Sequence, residues 1–208
     1  DGSGLTGVDS LPSQTSQSGK FLTTNGSAAS WGEAGGAWNL LSTVTASSSS
    51  TVDIETTFDS TYDRYVILVD GMVGSTDAEN LIMLLKIGGS YLTTSTYRSH
   101  RQELQSGSTS YSAIVTTNEG TGDQIIARPL GNVGGEVSNV ELEIFNPSST
   151  TLQKLYTFKG AAVYYTGASL MFDGVGLNTN TAALTGVRFK MSVGTIASGA
   201  FRLYGVSK

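Results

Sequence analysis

An all-β fold is what this sequence predicts: an antiparallel β-sandwich of jelly-roll-like type over residues 38–208, preceded by an extended N-terminal segment over 1–37. Three observations lead there. Apolar and polar residues alternate with a period of two in many short runs after Trp38, the mark of strands with one wet face. Glycine-rich breakers separate those runs. No amphipathic stretch of helical length stands out.

Residues 1–36 come first and differ from the rest. They are rich in Gly, Ser, Thr and Gln, with few apolar anchors: Leu5, Val8, Leu11, Phe21, Leu22 and Trp31. Neither a helical nor a strand period runs through them, so they cannot build a core alone. They are either a linker or a stem whose anchors pack against copies of themselves. The Asn25-Gly26 pair reads as a turn.

The strand pattern then begins. Val52, Ile54, Thr56 and Phe58 alternate with polar residues, as do Val140, Leu142 and Ile144, then Val187, Phe189, Met191 and Val193, and finally Phe201 and Leu203. The continuously apolar runs 65–69, 81–87 and 161–165 predict central strands covered on both faces. Breakers are expected at Asp70-Gly71, Gly88-Gly89, Gly107-Ser108, residues 120–122, Gly134-Gly135, Asn146-Pro147 and Asp173-Gly174. About ten strands in this arrangement need two sheets to bury their like faces.

Charge narrows the function. The 208 residues carry 12 Lys and Arg against 17 Asp and Glu, a net charge of -5. The basic residues are scattered, which argues against a nucleic-acid partner. No apolar run approaches the roughly 18 to 20 residues of a spanning helix, so no membrane insertion is expected. The sequence opens on Asp1 with no basic and apolar leader pattern, as expected of a processed or excised piece. Cysteine is absent, which rules out disulfides and thiolate metal sites.

The residues give no sign of catalysis. His100 is the sole histidine, no G-x-S-x-G accompanies it, and alternation puts it on the same strand face as Arg98. Glu141 and Glu143 share one strand face, whereas a hydrolase's acid and base need opposed environments. The loop 75–80 carries Asp77 and Glu79 without a calcium-loop pattern. No catalytic residue, metal or cofactor is therefore expected. Tyr91, Tyr97, Tyr111, Tyr164 and Tyr165 lie among hydroxyl and amide residues, a composition suited to sugar or protein recognition.

Two stretches carry a resemblance. Residues 11–31, LPSQTSQSGKFLTTNGSAASW, resemble a recurring element of bacteriophage tail-fibre and other virion-fibre proteins, approximately L-P-x-Q-x-G-x-x-G-K-x-L-T-x-[DN]-G-x-x-x-x-W, with Ser16 standing where glycine is common. The ending LTGVRF followed by GTIASGAFRLYGV is similar to the close of many phage structural proteins. The resemblance implies a virion appendage on the phage tail or capsid surface, a homotrimer with a β-sandwich head, joined to other virion proteins through its N-terminus. On that reading Leu11, Phe21, Leu22 and Trp31 become trimer stem anchors. Host recognition, with a surface glycan or protein as partner, is expected at Tyr97, Arg98, His100, Arg101 and Tyr111: the tyrosines to stack on a sugar, the arginines to meet anionic polymers. The alternative is a purely structural head fibre, decoration or baseplate-associated appendage that binds no receptor.

Overall fold

The computed structural model describes residues 12–33, 36–55, 58–93, 96–108, 112–117 and 123–207, with residues 33 and 113–117 described by backbone alone. Leu11 and Tyr111 lie outside the described residues. The protein is all-β and antiparallel, with fifteen strands among those residues. It divides into two units, Asp1–Trp38 and Asn39–Lys208.

The first unit holds a hairpin where the sequence shows no strand period. β1 (Lys20–Thr24) pairs antiparallel with β2 (Ala29–Glu33), with Leu22 opposite Trp31. Turn chemistry makes it. The Asn25 carboxamide oxygen accepts the Ser27 and Ala28 amides at 2.9 Å, and Gly26 takes a φ of 90°. The Trp31 indole donates to the Pro12 carbonyl. Phe21 stays 50% exposed and Leu22 44% exposed.

The second unit is a sandwich. Its larger sheet has eight strands in the order β3 (Trp38–Ser49), β15 (Ile196–Val206), β5 (Arg64–Gly74), β11 (Ser138–Phe145), β12 (Lys154–Val163), β13 (Ser169–Asn178), β8 (Tyr97–Gln105) and β9 (Ser112–Thr117). Its smaller sheet runs β10 (Gln124–Leu130), β6 (Glu79–Ile87), β14 (Leu184–Met191) and β4 (Val52–Ile54), with β7 (Ser90–Tyr91) paired to β6. Specific side-chain contacts cross between the sheets. Phe189 of β14 meets Phe201 of β15 at 5.2 Å between ring centres, the Tyr156 hydroxyl donates to Gln124, and the Tyr97 hydroxyl accepts the Leu85 amide. Alternating residues such as Ile67, Val69, Leu142, Ile144 and Leu203 fill the space between.

The apolar runs fare differently. Residues 81–87 form a strand buried on both faces, apart from Lys86. Residues 161–165 close an exposed-edged stretch instead, with Tyr165 exposed. Two expected breakers prove to be strand residues. Gly71, at φ 59°, makes a bulge within β5, and its amide donates to Asn139 as the β5–β11 register slips. Asp173-Gly174 sits in the middle of β13. There Gly174 faces Phe158, as Gly176 faces Tyr156 and Gly160 faces Phe172 across the β12–β13 ladder. Each inward aromatic lies over the glycine opposite, where a side chain would collide with it. The expected breaker Gly88-Gly89, with both residues at positive φ, is a two-residue hairpin turn between β6 and β7.

One buried cation ties the loops. Lys154 is fully buried, and its ammonium donates to the carbonyls of Ser149, Leu152 and Thr181 at 2.7 to 2.9 Å. Burial pulls its pKa below the usual lysine value.

Candidate functional site on the outer face of the large sheet

The alternation of β8 divides the expected recognition patch in two. Tyr97, Ser99 and Arg101 point into the sandwich, while Arg98, His100 and Gln102 point out. Tyr97 is wholly buried, its hydroxyl 2.7 Å from the Leu85 amide, and desolvation drives its pKa up. It cannot stack on an external sugar. Arg101 is buried too. Its Nε lies 2.7 Å from Glu103 Oε1, and its Nη1 donates to the Ile125 carbonyl at 2.9 Å. The five-residue patch is therefore corrected: two members belong to the core, Tyr111 lies outside the described residues, and Arg98 and His100 remain on the surface.

The partners of that surface come from β11, β12 and β13, which the register sets side by side. One rung across the sheet is Phe145, Leu155, Leu177 and Arg98. The next is Glu143, Thr157, Val175 and His100, and the third is Glu141, Lys159, Asp173 and Gln102. The fourth is Asn139, Ala161, Met171 and Leu104. Since side chains alternate, all of these share the outer face. Leu155, Met171 and Val175 are exposed on it.

Small residues within large ones hollow this face. A depression of about 480 Å³ lies over Ala161, between Leu68, Met171 and the polar chains of Asp70, Glu141, Lys159 and Asp173. It adjoins one of about 210 Å³ that shares Glu141, Lys159 and Asp173, and another of about 440 Å³ that shares Ala161 and Met171 and ends at Ser106 and Ser169. Together they form a trough across five strands, β5, β11, β12, β13 and β8. Its polar groups are already paired with one another. Lys159 meets Glu141 at 3.1 Å, and Arg64, beyond the lining, meets Glu143 at 3.1 Å. Arg202 pairs with Asp70, and the Gln102 amide donates to both oxygens of Asp173 at 2.9 and 3.0 Å. Asp173 alone among these carboxylates is held by a neutral group.

The smaller sheet's outer face is different. The Arg188 guanidinium binds Asp53 through two bonds of 2.7 and 2.6 Å and lies over the Tyr91 ring at 3.9 Å. Glu55 accepts from Lys86 at 2.8 Å and from the Tyr91 hydroxyl at 2.7 Å, which lowers its pKa. Tyr91 is thus committed to this network rather than to a ligand. The Tyr164 and Tyr165 rings meet at 4.7 Å between centres, tilted by 44°.

In the loop 75–80, Glu79 accepts from Ser192 and the Ser75 carbonyl accepts from Asn132. Among the described residues no group of three or more acidic or histidine side chains is placed to hold a metal ion. Nor is any helix long and apolar enough to cross a membrane. Of the stem anchors, Phe21 and Leu22 are exposed and Trp31 is half-buried. Sequence reasoning found the parity of β8 but missed the trough, because only inter-strand register brings its walls together. Comparison with protein-family models, curated proteins and solved structures finds no match, so the side-chain arrangement itself carries the functional reading.

Proposed function

We propose that this chain is a structural protein of a bacteriophage virion, the tip of a homotrimeric fibre whose sandwich head meets the host cell surface. It acts by binding and not by catalysis, with no cofactor. The observation that carries the reading is that each of the two units exposes apolar residues near their junction in the sequence. Phe21, Leu22, Trp38, Leu40 and Leu41 are all exposed, and all lie in the hairpin or the first residues of β3. A two-stranded hairpin is marginal alone. β3 is twelve residues of sequence WNLLSTVTASSS at the rim of its sheet, without a charge or a proline to blunt its edge. Such surfaces are stable in water when other copies cover them.

Glu141 and Glu143 support the non-catalytic part of the reading. They share one face and each meets its own cation, Lys159 or Arg64. Like environments do not separate an acid from a base. The test is light scattering of the whole chain together with adsorption of the labelled protein to host cells. A mass of three times 21.7 kDa and saturable cell binding are expected. A monomer mass overturns the fibre assembly, and a trimer that adsorbs to no host leaves only a structural appendage.

A further inference from the structure

We propose that the trough on the outer face of the large sheet is a saccharide site, selective for linear glycan chains that are uncharged or amine-bearing rather than anionic. The inference rests on the surface-binding reading above and assigns its ligand.

Shape is the first argument. Three adjoining depressions of about 210, 480 and 440 Å³ suit an elongated ligand better than a compact one. The lining is the second. Leu68, Ala161 and Met171 give an apolar floor for the C–H faces of a sugar ring. The walls supply acceptors at Asp173 and Glu141 and donors at Lys159 and Asn139. Asn139 spends its carboxamide oxygen on the Gly71 amide, which leaves its N–H groups for a ligand hydroxyl. These groups stand on rigid strands and hold one another in place, so little ordering is lost on binding.

Backbone chemistry separates a sugar from a peptide. An extended peptide is held through main-chain bonds to a strand edge. The trough floor is a sheet face, and its strands β5, β11, β12, β13 and β8 are paired on both sides. Only side chains are offered, which matches a ligand recognised by its hydroxyls.

Charge then chooses among sugars. Four carboxylates and one ammonium line the trough, namely Asp70, Glu141, Glu143 and Asp173 against Lys159. Three carboxylates have a cationic partner in Arg202, Lys159 or Arg64, whereas Asp173 has the neutral Gln102. The residual field is negative and centred on Asp173, which repels polyanions and favours an ammonium. This reverses the anionic partner expected from Arg98 and Arg101. Among the described residues the aromatics of the lining, Phe172 and Phe158, belong to the core, so affinity per site is weak and several copies on one fibre supply avidity.

The experiment uses the full chain on an array of oligosaccharides sorted into neutral, amine-bearing, and uronate or sulfated chains. Three proteins are compared: the natural chain, Ala161→Tyr, which fills the exposed floor without entering the core, and Asp173→Asn. Signals confined to neutral and amine-bearing chains and abolished by Ala161→Tyr support the site. Asp173→Asn is expected to weaken amine-bearing chains about tenfold, the worth of one charge-assisted bond, and to leave neutral chains unchanged. No signal, signals on anionic chains, or signals that survive Ala161→Tyr overturn the proposal. A changed light-scattering mass for Ala161→Tyr also overturns it and makes the trough a contact between copies. Host-cell adsorption measured in parallel separates the two readings. If the natural chain adsorbs to host cells and Ala161→Tyr keeps both that adsorption and the array signals, the trough is wrong and surface binding stands. If the natural chain binds array sugars but no host cell, the trough stands and the host reading falls.

Discussion

Gly174→Ala is the sharpest test of how the large sheet is built. Gly174 lies mid-strand in β13, opposite Phe158 of β12 and facing the core. A Cβ there would sit 2.5 Å from Phe158 Cζ and 2.6 Å from the His100 carbonyl oxygen. Relaxed carbon contacts are roughly 3.5 Å, so each neighbour would have to yield by about 1 Å. Phe158 is 2% exposed and packs in the core. The carbonyl belongs to β8, whose ladder with β13 it would distort. Overpacking costs about 1 to 3 kcal/mol, and a damaged ladder bond adds about 1 kcal/mol. Alanine's lower backbone entropy in the unfolded chain returns about 0.5 to 1 kcal/mol. The net expectation is a loss of about 1 to 3.5 kcal/mol, read as a lower urea midpoint at unchanged slope. Gly134→Ala is the control, since open space surrounds it, and its midpoint should stay within about 0.5 kcal/mol of the natural chain. In a Phe158→Leu background Gly174→Ala should cost less but still destabilise, because the carbonyl remains. A Gly174→Ala protein as stable as the natural chain would refute the close packing of β12, β13 and β8.

Three further outcomes are expected. Leu203→Ala, at a wholly buried core position, should cost about 2 to 5 kcal/mol in the same denaturant assay. Removing residues 1–36, or changing Phe21 and Leu22 together to Ser, should lower the light-scattering mass while leaving the strand signal in circular dichroism nearly unchanged. Stability should fall as pH rises beyond about 10, because burial raises the phenol pKa of Tyr65 and Tyr97 and the folded state keeps protons that the unfolded chain releases. Below pH 10 that contribution is complete; above it the two tyrosines together remove up to about 2.7 kcal/mol per pH unit. Lys154 acts in the opposite sense with its depressed pKa, but it is one group against four, since Tyr91 and Tyr164 are raised as well. Urea midpoints at pH 9, 10 and 11 check the sign, and a midpoint that rises over this range would contradict it.

Much of the fold was legible in the sequence because the period of two is a direct image of burial. Leu142, Ile144, Phe189, Phe201 and Leu203 all face the core as their alternation predicts. The misreadings share a cause. Glycine signals a backbone without a side chain, and that serves three ends: a turn at Gly88-Gly89, a bulge at Gly71, and room for an aromatic at Gly174. Sequence alone cannot distinguish them, because the ring that needs the room stands on another strand. The hairpin of 20–33 escaped for the opposite reason. Its strands bury too little to show alternation, and one Asn-Gly turn defines it.

The trough required information of a different order. Alternation along β8 correctly put His100 with Arg98, yet it could not say which parity was outside, so Tyr97 and Arg101 entered the expected site from the buried face. Absolute parity comes from what the opposite sheet supplies. The Leu85 amide and the Ile125 carbonyl both reach across to β8 and capture the inward side chains. Once those two are fixed, the register of four antiparallel strands places Asp173 beside Gln102 and Lys159, and Ala161 beside Met171. Residues 102, 141, 159 and 173 share no sequence motif, and each alone reads as an ordinary solvated strand residue. Their meeting is a property of the ladder. A one-residue slip of β13 against β12 would send Asp173 into the core and Gly174 to the surface. The pairing of Phe158 with Gly174 prevents that slip, so the contact that fixes the core also holds the trough open.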